Sequence, residues 1–185
     1  MSLRSETRLR GKIMQIRAAK PSELEEIIRI YSEAREFMAE EGNPGQWGDS
    51  YPSEALVLQD ICDGTCRVVT DGDEILAVFY TAYGIEPAYD KIFGGEWGTA
   101  EPYGIIHRVA VASKARGRGV ATFIFSEELK EHKSLRIDTH ADNKPMQRAL
   151  EKAGFIFRGT VYIDDTAGVS GEQIQRFARL AYDIG

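Results

Sequence analysis

Interleaved strand-like and helix-like runs predict a mixed α/β (α+β) fold built as one domain. Three observations carry this prediction. β-branched runs alternate along the chain with apolar residues at helical spacing. The tripeptide Asp71-Gly72-Asp73 joins two such runs as an antiparallel hairpin. A strand-like run, a glycine-bearing loop and a helix then follow one another directly between Ile105 and Lys133. The 185 residues suit a single compact domain with a core of its own.

The elements follow in order. Residues 1–13 are basic and polar without clear periodicity, and are read as a mobile N-terminal extension ahead of a domain over residues 14–185. Met14 is an alternative start, and Met14–Ala18 reads as the first strand. Ser22 followed by Glu25 is a capping-box pattern, and Leu24, Ile27, Ile28, Tyr31, Ala34 and Met38 then give a long helix one apolar face, ended by Gly42. The stretch 42–52 reads as a loop carrying Trp47 and Tyr51. Ser53 caps a second helix that ends near Gly64. Arg67–Val69 and Ile75–Phe79 form the hairpin. A long irregular segment, 84–102, carries Tyr89, Phe93 and Trp97; such segments inside compact domains are often functional. Ile105–Val111 is the most strand-like run, followed by a helix over 120–133 and a strand over Leu135–Thr139. Pro145 near its start and Gly154 past its end bracket a short helix. Phe155–Tyr162 and Phe177–Tyr182 close the chain as two strands.

Composition narrows the function. Hydrophobic residues make up 43% and charged residues 28% of the chain, an ordinary globular mix. A net charge of −6 argues against nucleic acid as a partner, because phosphate neutralisation needs clustered Lys and Arg. No apolar run reaches membrane-spanning length, so no membrane partner is expected, and the expected location is cytoplasmic. Cys62 and Cys66 are too few for a disulfide framework and lack the histidine partners of a metal site, so no metal is expected.

The chemistry concentrates in Val109-Ala110-Val111-Ala112-Ser113-Lys114-Ala115-Arg116-Gly117-Arg118-Gly119-Val120-Ala121. A helix N-terminus offers unpaired N–H groups and partial positive charge, which suits a pyrophosphate. Gly117 and Gly119 let the backbone approach phosphate oxygens. Arg116 and Arg118 either add positive charge or are simply solvated. The loop lacks the Gly-Lys-Ser/Thr ending of a nucleotide P-loop and the three-glycine dinucleotide spacing.

Arg116-Gly117-Arg118-Gly119-Val120-Ala121 resembles the Arg/Gln-x-x-Gly-x-Gly/Ala motif of the GNAT superfamily of acyl-CoA N-acyltransferases. Asn143 followed by Leu150-Glu151-Lys152-Ala153-Gly154-Phe155 is similar to that family's second signature, and the likeness covers most of the chain from Met14 onward. The resemblance implies a mostly antiparallel mixed sheet with helices on both faces, splayed into a V-shaped cleft between Ile105–Val111 and Leu135–Thr139. It implies acetyl-CoA as co-substrate, with pantetheine along Val109 and Val111 and pyrophosphate on the backbone of Arg116, Gly117, Arg118, Gly119, Val120 and Ala121. Asn143 either reaches the pantetheine arm or the adenosine diphosphate portion, or only caps its helix.

The implied reaction passes an acetyl group to the primary amine of a small molecule, the Val109 N–H stabilising the oxyanion. His107, Val109 and Val111 alternate, so the expectation is one shared strand face. In the family context His107 is the candidate base, against a structural role; His140 is read as structural or lining the substrate. Leu150 stands where many relatives carry an acid tyrosine, and Tyr103 and Tyr162 are substitutes without a motif. Trp47, Tyr51 and Trp97 either wall the acceptor pocket or pack beneath loops. Acetylation of a protein N-terminus or lysine, and acyl-CoA binding without catalysis, stand as alternatives. A homodimer is expected by resemblance alone.

Overall fold

A computed structural model describes residues 7–9, 12–165 and 175–185. The chain runs β1 (Thr7–Leu9), β2 (Lys12–Ala18), α1 (Leu24–Glu40), α2 (Glu54–Cys62), β3 (Cys66–Asp71), β4 (Glu74–Gly84), β5 (Tyr103–Val111), α3 (Val120–His132), β6 (Leu135–Thr139), α4 (Lys144–Lys152), β7 (Ile156–Asp165) and β8 (Gln175–Ile184). The strands form one sheet in the order β1-β2-β3-β4-β5-β6-β8-β7. Every pairing is antiparallel except β5 with β6.

Helices cover both faces. α1 and α2 pack Ile27, Ile30, Tyr31, Val57 and Ile61 onto Val68, Val78, Ala110 and Ala112. On the other face α3 and α4 pack Phe123, Ile124 and Leu150 onto Phe79, Ile106 and Ile137. The expected fold class is therefore the one observed. Ile30, not Ile28, is buried on α1. The Ser22/Glu25 capping box does not form. A 3-10 turn at Pro21–Glu23 precedes α1, and the Glu23 carboxylate accepts the Lys20 N–H at 2.8 Å. Ser53 does cap α2, accepting the Leu56 N–H at 3.2 Å. The strand expected at Met14–Ala18 begins at Lys12, and a further strand, Thr7–Leu9, lies within the expected N-terminal extension and pairs with it.

Two irregularities create the site. The parallel strands β5 and β6 pair only at Gly104↔Leu135 and Ile105↔Arg136. Beyond Ile105, β5 stays with β4 while β6 stays with β8, so the sheet opens into a V. Within the open part β5 carries a bulge. Tyr80 stands opposite His107 and Val78 opposite Ala110, so Arg108 and Val109 share the place across from Phe79. Arg108 has φ 52°, a backbone conformation uncommon outside glycine.

Candidate active site

The opening between β5 and β6 forms a cleft of about 1170 Å³. This volume lies just above the ~300–1,000 Å³ of a small-ligand pocket. His107, Val109, Val111, Arg116, Gly117, Gly119, Val120, Ala121, Asn143, Trp47 and Tyr51 all line it. Arg118 and Trp97 do not. Trp97 instead donates its indole N–H to the Tyr89 carbonyl at 2.9 Å and stacks on Arg136, behind the sheet opening.

The glycine loop closes one end. Gly117 (φ 73°) and Gly119 (φ 78°) adopt left-handed conformations, and a Cβ at either would meet nothing within 4 Å. The first intrahelical bond of α3 runs from the Phe123 N–H to the Gly119 carbonyl at 3.0 Å. The Val120, Ala121 and Thr122 N–H groups precede it and lack an intrahelical acceptor. Arg116 does not aim its guanidinium into this space. It donates to the Glu33 carbonyl at 2.6 Å and stacks on Phe37. The Glu33 carboxylate accepts the Ser113 N–H at 2.8 Å, which holds its carboxyl below the usual carboxylate range. Arg116 and Glu33 thus fasten the loop to α1.

The strand edge comes next. Ala112 donates its N–H to the Leu76 carbonyl on β4 at 2.9 Å. N–H groups alternate in direction along a regular strand, so the Val111 N–H points away from β4, into the space that β6 has left, and Val109 stands in the bulge beside it. The bulge breaks the side-chain alternation at the same place. Val109 and Val111 pack with the α3 face of the sheet, whereas the His107 ring stacks on Tyr80 and Tyr89 on the opposite face. The expected common face for His107, Val109 and Val111 is therefore not observed, because one extra residue at Arg108 shifts the period.

His107 lies between two carboxylates. Its Nε2 is 3.4 Å from Glu86 Oε2 and its Nδ1 is 3.6 Å from Asp138 Oδ1. The Tyr89 hydroxyl donates to Asp138 Oδ1 at 2.7 Å, and Arg179 Nε is 3.8 Å from Asp138 Oδ2. Burial and Asp138 push the Tyr89 phenol well above its ordinary value, so it stays protonated as a donor. His107 beside Glu86, with the Ala88 N–H, holds the Glu86 carboxyl below the usual range, against the effect of burial. Arg108 turns toward α2, pairing with Asp60 at 2.7 Å, reaching the Tyr51 hydroxyl at 3.3 Å and stacking on Tyr80. Burial pushes the Asp60 carboxyl up and Arg108 opposes it.

Asn143 caps α4, its Oδ1 accepting the Met146 N–H at 3.1 Å, while its Nδ2 donates to Gln46 Oε1 at 3.0 Å. Asn43 donates to the same Gln46 oxygen at 2.7 Å, so the 42–52 loop is tied to the N-terminus of α4 across the cleft. His140 sits at the turn into α4, where its Nδ1 accepts the Asp142 N–H at 3.2 Å. Burial and Arg179 lower its pKa. Tyr103 is fully buried and accepts the Glu86 N–H, and Tyr162 packs edge-on against Phe93; neither lines the cleft. Leu150 is core. Glu86, Asp138, Tyr80 and Arg108 escaped the sequence reading. Glu86 opens the long irregular segment whose length had marked it, and Asp138 sits in the strand facing His107 across the opening.

The chain belongs to the Acetyltransferase (GNAT) family, whose model matches residues 24–155. The enzyme is accordingly an acyl-CoA-dependent N-acetyltransferase. A GNAT-family acetyltransferase from Streptococcus agalactiae is 32% identical, with 92% of this chain and 94% of that chain covered and a TM-score of 0.79. A GNAT-family acetyltransferase from Listeria monocytogenes shares the fold at 15% identity, with 97% and 99% covered and a TM-score of 0.68. The Salmonella typhimurium protein yncA, solved with its cofactor acetyl-CoA, shares the fold at 15% identity, 92% of each chain covered and a TM-score of 0.57. No curated protein matches the sequence. Among the described residues no helix is long and apolar enough to cross a membrane, and no group of three His, Cys, Asp or Glu side chains is arranged to hold a metal ion.

Proposed function

We propose that this enzyme transfers the acetyl group of acetyl-CoA directly to the primary amine of a small molecule, with both substrates bound in the cleft. The carrying observation is the position of His107: a titratable ring facing the opening between β5 and β6, flanked by Glu86 and Asp138.

The residues fit acetyl-CoA. The open left-handed glycines and the first-turn N–H groups of α3 suit a pyrophosphate. The uncovered edge of β5 suits pantetheine, an amide-bearing arm able to pair with a strand. The Val109 N–H, on the bulge that lines the cleft, is the donor for negative charge developing on the thioester oxygen. Asp138, fixed by Tyr89 and Arg179, orients the His107 ring. His107 takes a proton from the acceptor nitrogen and passes it to solvent. The N–C bond forms as the C–S bond breaks, and the departing sulfur takes up a proton to leave free CoA. With Leu150 in the core, water delivers that proton. The loop bearing Trp47 and Tyr51, tied to Asn143 through Gln46, borders the acceptor end, and this wall favours a small acceptor over a protein chain.

The test is free-thiol release from acetyl-CoA with a panel of primary amines. Turnover with at least one amine is expected. Turnover only with peptide N-termini or lysine peptides overturns the small-acceptor reading.

A further inference from the structure

Charge at the acceptor end narrows the acceptor further, and this narrowing rests on the reading above. Four carboxylates line the cleft: Asp49, Asp60, Glu86 and Asp138. Two are matched by arginines. Asp60 pairs with Arg108 at 2.7 Å, and Asp138 lies 3.8 Å from Arg179. Among the described residues no Lys or Arg pairs with Glu86, whose neighbours are His107 and the Ala88 N–H. Glu86 therefore stands as the anion beside the candidate base that no described Lys or Arg contacts, Arg108 acting on it only through space.

Among the described residues the cations beside these carboxylates, Arg108 and Arg179, are both engaged. Arg108 turns its guanidinium toward Asp60 and the Tyr51 hydroxyl, donating to both. Arg179 is committed to Asp138. The remaining walls are flat and largely apolar: Tyr51, Tyr80, Trp47, Ile163 and Phe177.

We infer that the acceptor is a primary amine on an aromatic or aliphatic body that carries no carboxylate, and that Glu86 receives its ammonium beside His107. An α-amino acid would bring its carboxylate toward Glu86 and Asp138 with no free counter-charge, an arrangement that like-charge repulsion strongly disfavours. Glu86 attracts the ammonium on arrival; His107, 3.4 Å from Glu86, takes the proton that must leave before the nitrogen can attack.

The experiment compares matched pairs, phenethylamine with phenylalanine and tyramine with tyrosine, by thiol release from acetyl-CoA. At least one amine is expected to exceed its amino acid by about 10²-fold or more in kcat/KM. Glu86→Gln, which keeps the acceptor for the Ala88 N–H, is expected to raise the KM for that amine at least tenfold. CoA-induced thermal stabilisation of the variant should equal wild type, which confirms its fold. Amino acids turned over as well as their amines would overturn this inference while leaving small-amine acetylation intact. An unchanged amine KM in Glu86→Gln would also overturn it. No turnover of any small amine, with turnover of peptides, would overturn both readings.

Discussion

Replacing Gly119 separates the two roles assigned to the glycine loop. Gly119→Ala adds a Cβ that meets nothing within 4 Å but must hold φ 78°. That strain costs roughly 1–2 kcal/mol, which for a chain of this size lowers Tm by about 2–8 °C. Gly119→Glu adds the same strain plus a negative charge beside the first-turn N–H groups of α3. At ~5 Å and an effective dielectric of ~40, each like charge of a pyrophosphate is repelled by about 1.7 kcal/mol. Two such charges weaken CoA binding on the order of 10²-fold. The assay is calorimetric titration of CoA into wild type and both variants, with thermal melts alongside. Both variants should melt alike, and only Gly119→Glu should lose CoA. A Gly119→Glu protein that binds CoA as tightly as Gly119→Ala would remove the pyrophosphate from this loop.

His107→Gln is expected to lower kcat/KM by about 10²-fold or more while CoA affinity stays at wild type; near-normal turnover would return His107 to a structural role. Arg108→Leu strips Asp60 of its partner, and loss of a buried ion pair costs about 3–5 kcal/mol, so the thermal midpoint should fall by roughly 6–20 °C. The Glu33 carboxyl is lowered in the folded protein, so its contribution is present above the ordinary carboxylate range and lost as pH falls through the folded value. Glu33→Gln should therefore flatten the acid side of the stability–pH curve, read from melts across that range. Cys66 is buried with its thiol pushed up to about 12, whereas Cys62 is exposed, so a thiol reagent should modify one cysteine in the native protein and both after unfolding.

Much of this fold is legible in the sequence because its elements carry local marks. The two-residue turn after Asp71, the Ser53 cap, and Gly154 past α4 each state a boundary in the chemistry of one residue. The glycine-loop end of the cleft, proposed to hold the cofactor, is legible for the same reason, since a left-handed glycine and a helix start are local facts. The acceptor end is not. Its geometry depends on the bulge at Arg108, a mismatch between two strands that neither strand announces alone, and this bulge moves His107 to the face opposite Val109. Glu86, His107 and Asp138 come from three separate elements and meet only because β6 leaves β5 after Ile105. Arg116 misleads in another way: its position in a basic loop suggests phosphate, but its guanidinium finds the carbonyl of Glu33 on α1.

The central claim is acetyl transfer to a small amine through His107, and steady-state thiol release tests it most directly. Wild type and His107→Gln should be assayed with acetyl-CoA and the best amine of the panel, with product confirmed by mass. The account predicts an N-acetylated amine formed in step with free CoA, slowed about 10²-fold or more in the variant. Tight acetyl-CoA binding without thiol release across the whole panel would contradict it.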